Sequence, residues 1–130
     1  MPEGALPLNL QRMEWMRSPP LVPMPGPLDM EHLERMTLGD ASLEREVLAL
    51  FCEQSHRVMS GIVGSPAEAG ALAHTLKGSA RGIGAFAVAE AAARLEAAIR
   101  TGDDRPQALI ALQGAVADAH RAIEEILAQP

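Results

Sequence analysis

SPAEAGALAHTLKGSARGIG, residues 65–84, is the segment whose pattern most directly indicates the fold. Ser65 stands at a helix-capping position, Pro66 at the first helical position and Glu68 three residues after the cap, so the stretch predicts a helix start. Its apolar residues then recur every three or four positions and fall within about 80° of one another on a helical wheel. A helix with such a face packs against other helices, and its interior residues are predicted to be Leu72, Leu76, Ala80 and Ile83.

Capping residues and glycines predict four more helices after Pro27. Asp is favoured just before the first turn of a helix, and Gly is favoured just after the last turn. The loops between the long helices hold only a few residues, which forces antiparallel neighbours. The predicted fold is therefore all-α, an antiparallel up-down-up-down four-helix bundle with a short preceding helix. The other predicted helices are a short one capped by Asp29 that stops at Gly39, and long ones from Asp40 to about Val63, from Ala85 to Thr101 before Gly102, and from Asp104, with Gln107, nearly to the end.

Apolar stripes at helical spacing predict the core of this bundle. Each of the other long helices carries one such face. The predicted core residues are Leu43, Val47, Leu50, Phe51, Val58 and Ile62 in the first, Val88, Ala92, Leu95 and Ile99 in the third, and Leu109, Leu112, Val116, Ala119, Ile123 and Ile126 in the last.

The composition fits one helical domain and excludes several classes of protein. The 130 residues are 48% hydrophobic but only 2% aromatic, which disfavours a β-sandwich or barrel. A net charge of −6 without a run of Lys or Arg disfavours nucleic-acid binding. A single Cys excludes an internal disulfide and a Cys-based zinc site. With no apolar run near the roughly 20 residues of a membrane span and no signal pattern, we expect a cytoplasmic monomer without a membrane partner.

The first 27 residues differ from the rest, since they hold seven of the ten prolines. We expect residues 1–27 to be a Pro-rich, flexible N-terminal extension and residues 28–130 to form the domain. A short amphipathic piece around Leu8–Arg17, with Met13, Trp15 and Met16, leaves a second interpretation open. In that interpretation the segment covers an apolar groove on the domain or on a second copy.

The central helix carries a histidine on its predicted solvent face. On the wheel, His74 lies opposite the apolar residues, one turn from Lys77 and two turns from Arg81. Gly70 and Gly78 lie four residues before and after it, although a glycine inside a helix costs roughly 1 kcal/mol relative to alanine. Their absent side chains let another macromolecule approach the imidazole. A neutral imidazole is a nucleophile, and Lys77 can supply the positive charge that a transferred phosphoryl group needs.

The run Ala73-His74-Thr75-Leu76-Lys77-Gly78-Ser79-Ala80, followed by Gly84 and by Leu95-Glu96, resembles the histidine-containing phosphotransfer (HPt) domain family. The resemblance covers roughly residues 28–130 and implies a four-helix bundle. It implies that His74 carries a phosphoryl group between aspartates of response-regulator receiver domains, with Lys77 assisting and Gly78 giving clearance. Gly70, Arg81 and Ser79 are secondary candidates, and Arg81 departs from the small residue that the family often has there.

The same resemblance implies partners: receiver domains and a hybrid sensor kinase. We expect the receiver to supply Mg²⁺, and we predict no bound cofactor and no metal in this chain, since no carboxylate cluster is evident around His74. The chain has no nucleotide-type glycine loop and no room for an ATP-binding domain. We therefore predict a phosphocarrier and not an enzyme.

Other interpretations of these residues remain open. His74 could be a surface histidine without a role, or the bundle could bind receivers as a regulator that is never phosphorylated. A sensor-kinase helix is disfavoured because Thr75, and not an acidic residue, follows His74. Cys52 and His56 have the spacing of metal ligands, with His120 as a possible third. Packing is the simpler explanation of Cys52 and His120.

Exposed apolar residues near His74 would form the surface that docks the partner. The predicted partner-binding residues are Phe86 and a second stripe of the first long helix, namely Leu48, Cys52, Met59 and Val63. The alternative is that these side chains pack against the short helix 29–38 or the Pro-rich extension.

Overall fold

The structure, a computed structural model, describes residues 26–130, and within them all regular secondary structure is helical. The all-α helical bundle predicted from the sequence is confirmed. None of the described helices is long and apolar enough to cross a membrane. The helices are α1 (Met30–Met36), α2 (Ala41–Gly64), α3 (Ala69–Ile83), α4 (Phe86–Thr101) and α5 (Arg105–Leu127).

The four long helices pack in a closed ring, in which α2 contacts α3, α3 contacts α4, α4 contacts α5, and α5 returns to α2. The α3–α4 seam and the α2–α5 seam therefore lie on opposite sides of the bundle. The α3–α4 pair is the most extensive of these contacts, because buried alanines let the two backbones approach closely. These alanines are Ala73 and Ala80 on α3 with Ala89 and Ala92 on α4.

The core is one continuous cluster that runs through all five helices. Its largest fully buried apolar side chains follow the helical spacing that the sequence predicts. They are Leu33 of α1, Leu48 of α2, Leu76 of α3, Val88 and Leu95 of α4, and Leu112 and Ile123 of α5.

The interior face of α2 differs from the predicted one. Leu43 and Leu50 were expected in the core, but both are exposed, Leu50 by 58%. Leu48, expected on the outside, is 0% exposed. The reason is Ser55, a polar residue on the interior face, which the hydrophobic pattern could not assign to the core. Its hydroxyl is satisfied by donating to the Phe51 carbonyl oxygen at 2.6 Å.

Two residues predicted to cap helices with their side chains, Ser65 and Asp104, do not do so. The Ser65 side chain makes no capping hydrogen bond, and the residue instead ends α2, where its backbone N–H donates to the Gly61 carbonyl. A 3₁₀ turn (Pro66–Glu68) follows, so α3 begins only at Ala69. Asp104 does precede α5, but it adopts a left-handed backbone (φ 60°) and makes no cap bond. Its carboxylate instead accepts from Arg94 at 2.9 Å.

The lead-in helix α1 is fastened to the turn between α3 and α4. Asp29 caps α1 as predicted, accepting from the His32 N–H at 3.1 Å, and the helix ends at Met36, before Gly39. The backbone N–H of Asp29 donates to the Gly84 carbonyl at 2.9 Å. Gly84 has φ +88°, and a Cβ there would lie 2.8 Å from the Asp29 carbonyl oxygen, so only glycine fits this close approach.

The predicted N-terminal extension falls almost wholly outside the described residues. The amphipathic piece at 8–17 and the prolines up to residue 25 lie in residues 1–25.

Candidate functional site

His74 lies in the middle of α3, on the side that faces away from the core. Its two neighbours in the chain differ sharply, since Ala73 is fully buried and Thr75 is exposed. The His74 side chain is 67% exposed. The sequence prediction that this imidazole points to solvent is therefore confirmed.

A carboxylate from the neighbouring helix bonds both His74 and Lys77 of α3. Glu96 of α4 places one oxygen, Oε2, 2.8 Å from Nδ1 of His74. The other oxygen, Oε1, accepts from Nζ of Lys77, also at 2.8 Å. Lys77 is thus not a free charge beside His74, because it is paired with a single carboxylate to which the sequence analysis had given no role.

The Glu96 carboxylate fixes which nitrogen of His74 is available. The hydrogen bond from Lys77, and after it the one from His74, lowers the pKa of Glu96 below its ordinary value, so the group is ionised and only accepts hydrogen bonds. We assign the proton of a neutral His74 to Nδ1, which then donates to Glu96. Nε2 carries the lone pair, and within residues 26–130 no side chain or backbone group hydrogen-bonds to it.

Glu96 is the residue of this site that sequence reasoning missed. It was noted only as part of a family landmark and was given no role. The signal was present in the chain: His74 lies eleven residues before Ala85 in the α3–α4 turn, and Glu96 lies eleven residues after it. In an antiparallel helix pair, positions equidistant from the turn lie side by side, so counting outward from Ala85 pairs the two.

The glycines around His74 differ in their surroundings. A Cβ added at Gly78 or Gly82 would meet no atom within 4 Å, so nothing in the described fold demands glycine there. At Gly70 an added Cβ would touch Ile99 Cγ2 at 3.7 Å, an ordinary contact. Because packing does not require Gly78, its cost in helix stability points to a role at the surface.

An open depression of about 550 Å³ lies beside His74 at the α3–α4 seam. Arg100, one turn after Glu96, also lines this depression. The sequence analysis had not singled out Arg100. Arg81 is exposed two turns after His74 on the same side of α3. Ser79 lies elsewhere, in a depression between α2 and α3, and the structure does not bring it to His74.

The predicted partner-binding residues of α2 are not gathered around His74. Leu48 is completely buried, so its assignment to an exposed surface is wrong; it faces the core. Cys52 and Met59 are half-buried and pack against the core. Met59 and Val63 line the α2–α5 seam, on the opposite side from Glu96. The register of α2 explains this, because its second stripe turns toward α5.

Phe86, at the start of α4, packs on α1. Its ring meets the His32 ring edge-on, with 5.1 Å between centroids. It is half-buried, as the alternative of packing against the short helix predicted. Its contact with a partner stays a prediction.

Of the residues considered for a metal site, His120 has a different partner. His120 Nε2 lies 2.6 Å from the hydroxyl of Ser55, and burial lowers the pKa of this histidine. Burial raises the pKa of the Cys52 thiol. Across residues 26–130, no three His, Cys, Asp or Glu side chains come together in a group that could hold a metal ion.

Comparison with known families gives one match. A model of the Hpt domain matches residues 46–129, which is more than half of the chain and includes both His74 and Glu96. This chain belongs to the Hpt domain family. Comparisons with curated proteins and with solved structures gave no match. Membership implies phosphotransfer in a two-component phosphorelay. It also implies that the domain interacts with receiver domains and kinases.

Proposed function

We propose that this Hpt domain is a phosphocarrier in which His74 accepts a phosphoryl group from the aspartate of one receiver domain and passes it to another. The observation that carries the proposal is the state of the imidazole. It is 67% exposed, and its Nδ1 is held by Glu96. Nε2 is therefore the nucleophile that faces a partner.

The transfer forms one bond and breaks one. The lone pair of Nε2 attacks the phosphorus of the receiver's aspartyl phosphate in line with the bond to the aspartate oxygen. That P–O bond breaks and leaves the aspartate as a carboxylate. The proton on Nδ1 stays where it is, so the phosphorylated ring carries a positive charge. Glu96, 2.8 Å from Nδ1, is placed to stabilise that charge. Passing the group to a second receiver is the reverse of these steps.

Lys77 pairs with negative charge both before and after the proposed transfer. Before transfer its ammonium neutralises Glu96, with which it makes a 2.8 Å ion pair. After transfer the phosphoryl oxygens add negative charge one turn of helix away, within reach of the same ammonium. The open space at Gly78 and Gly82 supports a close approach by the partner. We propose that the receiver's own carboxylates hold the Mg²⁺ that the transfer uses, and that a hybrid sensor kinase supplies the phosphoryl group to the relay.

The test is incubation of the chain with a phosphorylated receiver domain and Mg²⁺. We expect an acid-labile, base-stable label on the wild type and none on His74→Gln. His56→Gln is the matched control, because His56 is also an exposed histidine, on α2 away from Glu96. It should label like the wild type.

Receiver binding is measured on the same variants. His74→Gln should still bind, because the substitution removes the nucleophile and leaves the surrounding surface intact. A wild-type chain that binds receivers but never takes up label would contradict the proposal and would indicate a regulator that only occupies them.

A further inference from the structure

A second surface depression lies on the side of the bundle opposite to His74. It is a groove of about 540 Å³ along the α2–α5 seam. Its lining is mainly apolar, with Met59 and Val63 of α2 and Val116 and Ala117 of α5. Four polar side chains complete it, namely His56, Ser60, Gln113 and His120. Val63 is 55% exposed, although it is a large apolar residue. Nothing within residues 26–130 covers this groove.

The position of the groove separates it from phosphotransfer. His74 and Glu96 lie at the α3–α4 seam, and the four-helix ring places the α2–α5 seam across the bundle. A receiver docked on His74 leaves the groove exposed to water. An apolar groove of this kind is stabilised when an apolar segment covers it.

The chain itself carries such a segment outside the described residues. Between positions 8 and 17, Leu10, Met13 and Met16 recur at three-residue spacing, within about 120° on a helical wheel. Methionine side chains are flexible and fill irregular apolar surfaces well. The segment also holds Trp15, the only Trp in the chain.

The connecting chain is long enough to reach the groove. Asp29 is bonded to Gly84, at the end of the bundle where α2 begins. The groove starts at His56, fifteen residues along α2, or about 22 Å from Ala41. One helix width of about 10 Å, crossed sideways at the end of the bundle, brings the straight-line distance to about 24 Å. Residues 18–25, with their prolines, span about 25 Å if extended. As a helix, residues 8–17 would be about 15 Å long, against about 13 Å for the stretch of α2 from His56 to Gly64.

We propose that residues 8–17 dock into the α2–α5 groove of their own chain. The segment covers Met59 and Val63 with Leu10, Met13 and Met16. The groove is thus an intramolecular binding surface, independent of the phosphorelay chemistry on the opposite side.

Trp15 reports on this docking in the full-length chain. With no Tyr and no other Trp present, tryptophan fluorescence comes from the segment alone. We expect wild-type emission at shorter wavelength than in the denatured chain and several-fold weaker quenching by iodide. Amide hydrogens of residues 8–17 should exchange several-fold more slowly than in the denatured chain.

Substitutions in the groove test whether residues 8–17 bind there. Val63→Arg and, independently, Ala117→Arg should return both readouts to those of an exposed segment, while the helical circular dichroism stays unchanged because both side chains are exposed. Leu50→Arg is the matched control, an apolar residue of similar exposure on another side of α2; it should keep Trp15 protected. An exposed Trp15 in the wild type, or protection that survives both groove substitutions, overturns the proposal. So does protection that disappears on dilution, because that result would place the segment on a second copy.

Discussion

Glu96 joins the two helices of the site through one carboxylate. Each of its oxygens takes one hydrogen bond of 2.8 Å, from His74 and from Lys77. Without it, an imidazole and an ammonium would lie one turn apart with nothing negative between them. The carboxylate therefore orients the ring and fixes the position of the lysine, which in the proposed transfer pairs with the phosphoryl group.

Glu96→Gln tests the charge of that group with little change in shape. The amide can still accept from Nδ1, but it cannot stabilise the positive ring that phosphorylation creates. A charged hydrogen bond contributes roughly 1.5–3 kcal/mol, so we expect transfer from a phosphorylated receiver to slow by about tenfold to a hundredfold. Glu90→Gln, at an exposed position on the same helix, should transfer at the wild-type rate. Equal rates for the two variants would remove Glu96 from the mechanism.

Gly78 offers a test in which stability and transfer move in opposite directions. An added Cβ meets nothing in the free chain, so Gly78→Ala should stabilise the fold by about 0.5–1 kcal/mol in denaturant unfolding. In the proposed complex the same methyl group would lie in the partner's path, so transfer should slow. Gly114→Ala, inside α5 and also in open space, should give the same stabilisation with unchanged transfer. A Gly78→Ala chain that transfers normally would contradict the clearance role.

At the scale of the helices, Gly84 and Gly102 form a natural pair for comparison. Both end a helix with a positive φ, of +88° and +76°. An added Cβ at Gly102 meets nothing, whereas at Gly84 it would lie 2.8 Å from the Asp29 carbonyl oxygen. Gly102→Ala should therefore lower the free energy of unfolding only by the strain of alanine in a left-handed backbone, about 1–2 kcal/mol.

Gly84→Ala should cost measurably more than Gly102→Ala, because α1 must also move away from the turn. Urea unfolding of both variants, with hydrogen exchange of α1 amides, measures the difference. Equal losses of stability, with α1 equally protected, would mean that the contact with Asp29 is not tight in solution.

The order and number of the helices follow from the sequence, because apolar spacing and glycine stops are local signals. His74, Lys77 and Gly78 share one helix, so their arrangement follows from helical geometry alone. Contacts between helices are harder to predict. The pairing of His74 with Glu96 depends on the register of two helices, which periodicity within one helix does not give.

The interior face of α2 was mispredicted for a related reason. Ser55 reaches the core only because Phe51 and His120 satisfy its hydroxyl, and His120 lies on another helix. Likewise, Asp104 fails as a cap because Arg94 of α4 binds its carboxylate. In each case a partner from another helix overrides the local preference of the residue.

For the whole molecule, Glu96 makes folding stability depend on pH in a defined direction. The hydrogen bond from Lys77, followed by that from His74, lowers the pKa of Glu96 in the folded chain below the ordinary value of 4.5. The unfolded chain then binds the proton more readily. The stabilisation that ionised Glu96 gives the fold is therefore complete above pH 4.5. It is lost as the pH falls through the lowered pKa that Glu96 has in the folded chain.

Urea unfolding near neutral pH and at about pH 3 measures this dependence in the wild type and in Glu96→Gln. The wild type should be the more stable near neutrality, and the gap should narrow in acid. A gap that stays constant between the two conditions would mean that Glu96 has the same proton affinity folded and unfolded.

The lead-in helix has a practical consequence for anyone who shortens this protein. The family match begins at residue 46, beyond α1, yet Leu33 of α1 is 0% exposed and belongs to the core. A fragment trimmed to the matched range would open a leucine-sized hole at the end of the bundle where the histidine helix finishes. The recognisable portion of this chain is thus smaller than the portion that folds as a unit, and expression boundaries are better drawn ahead of Asp29.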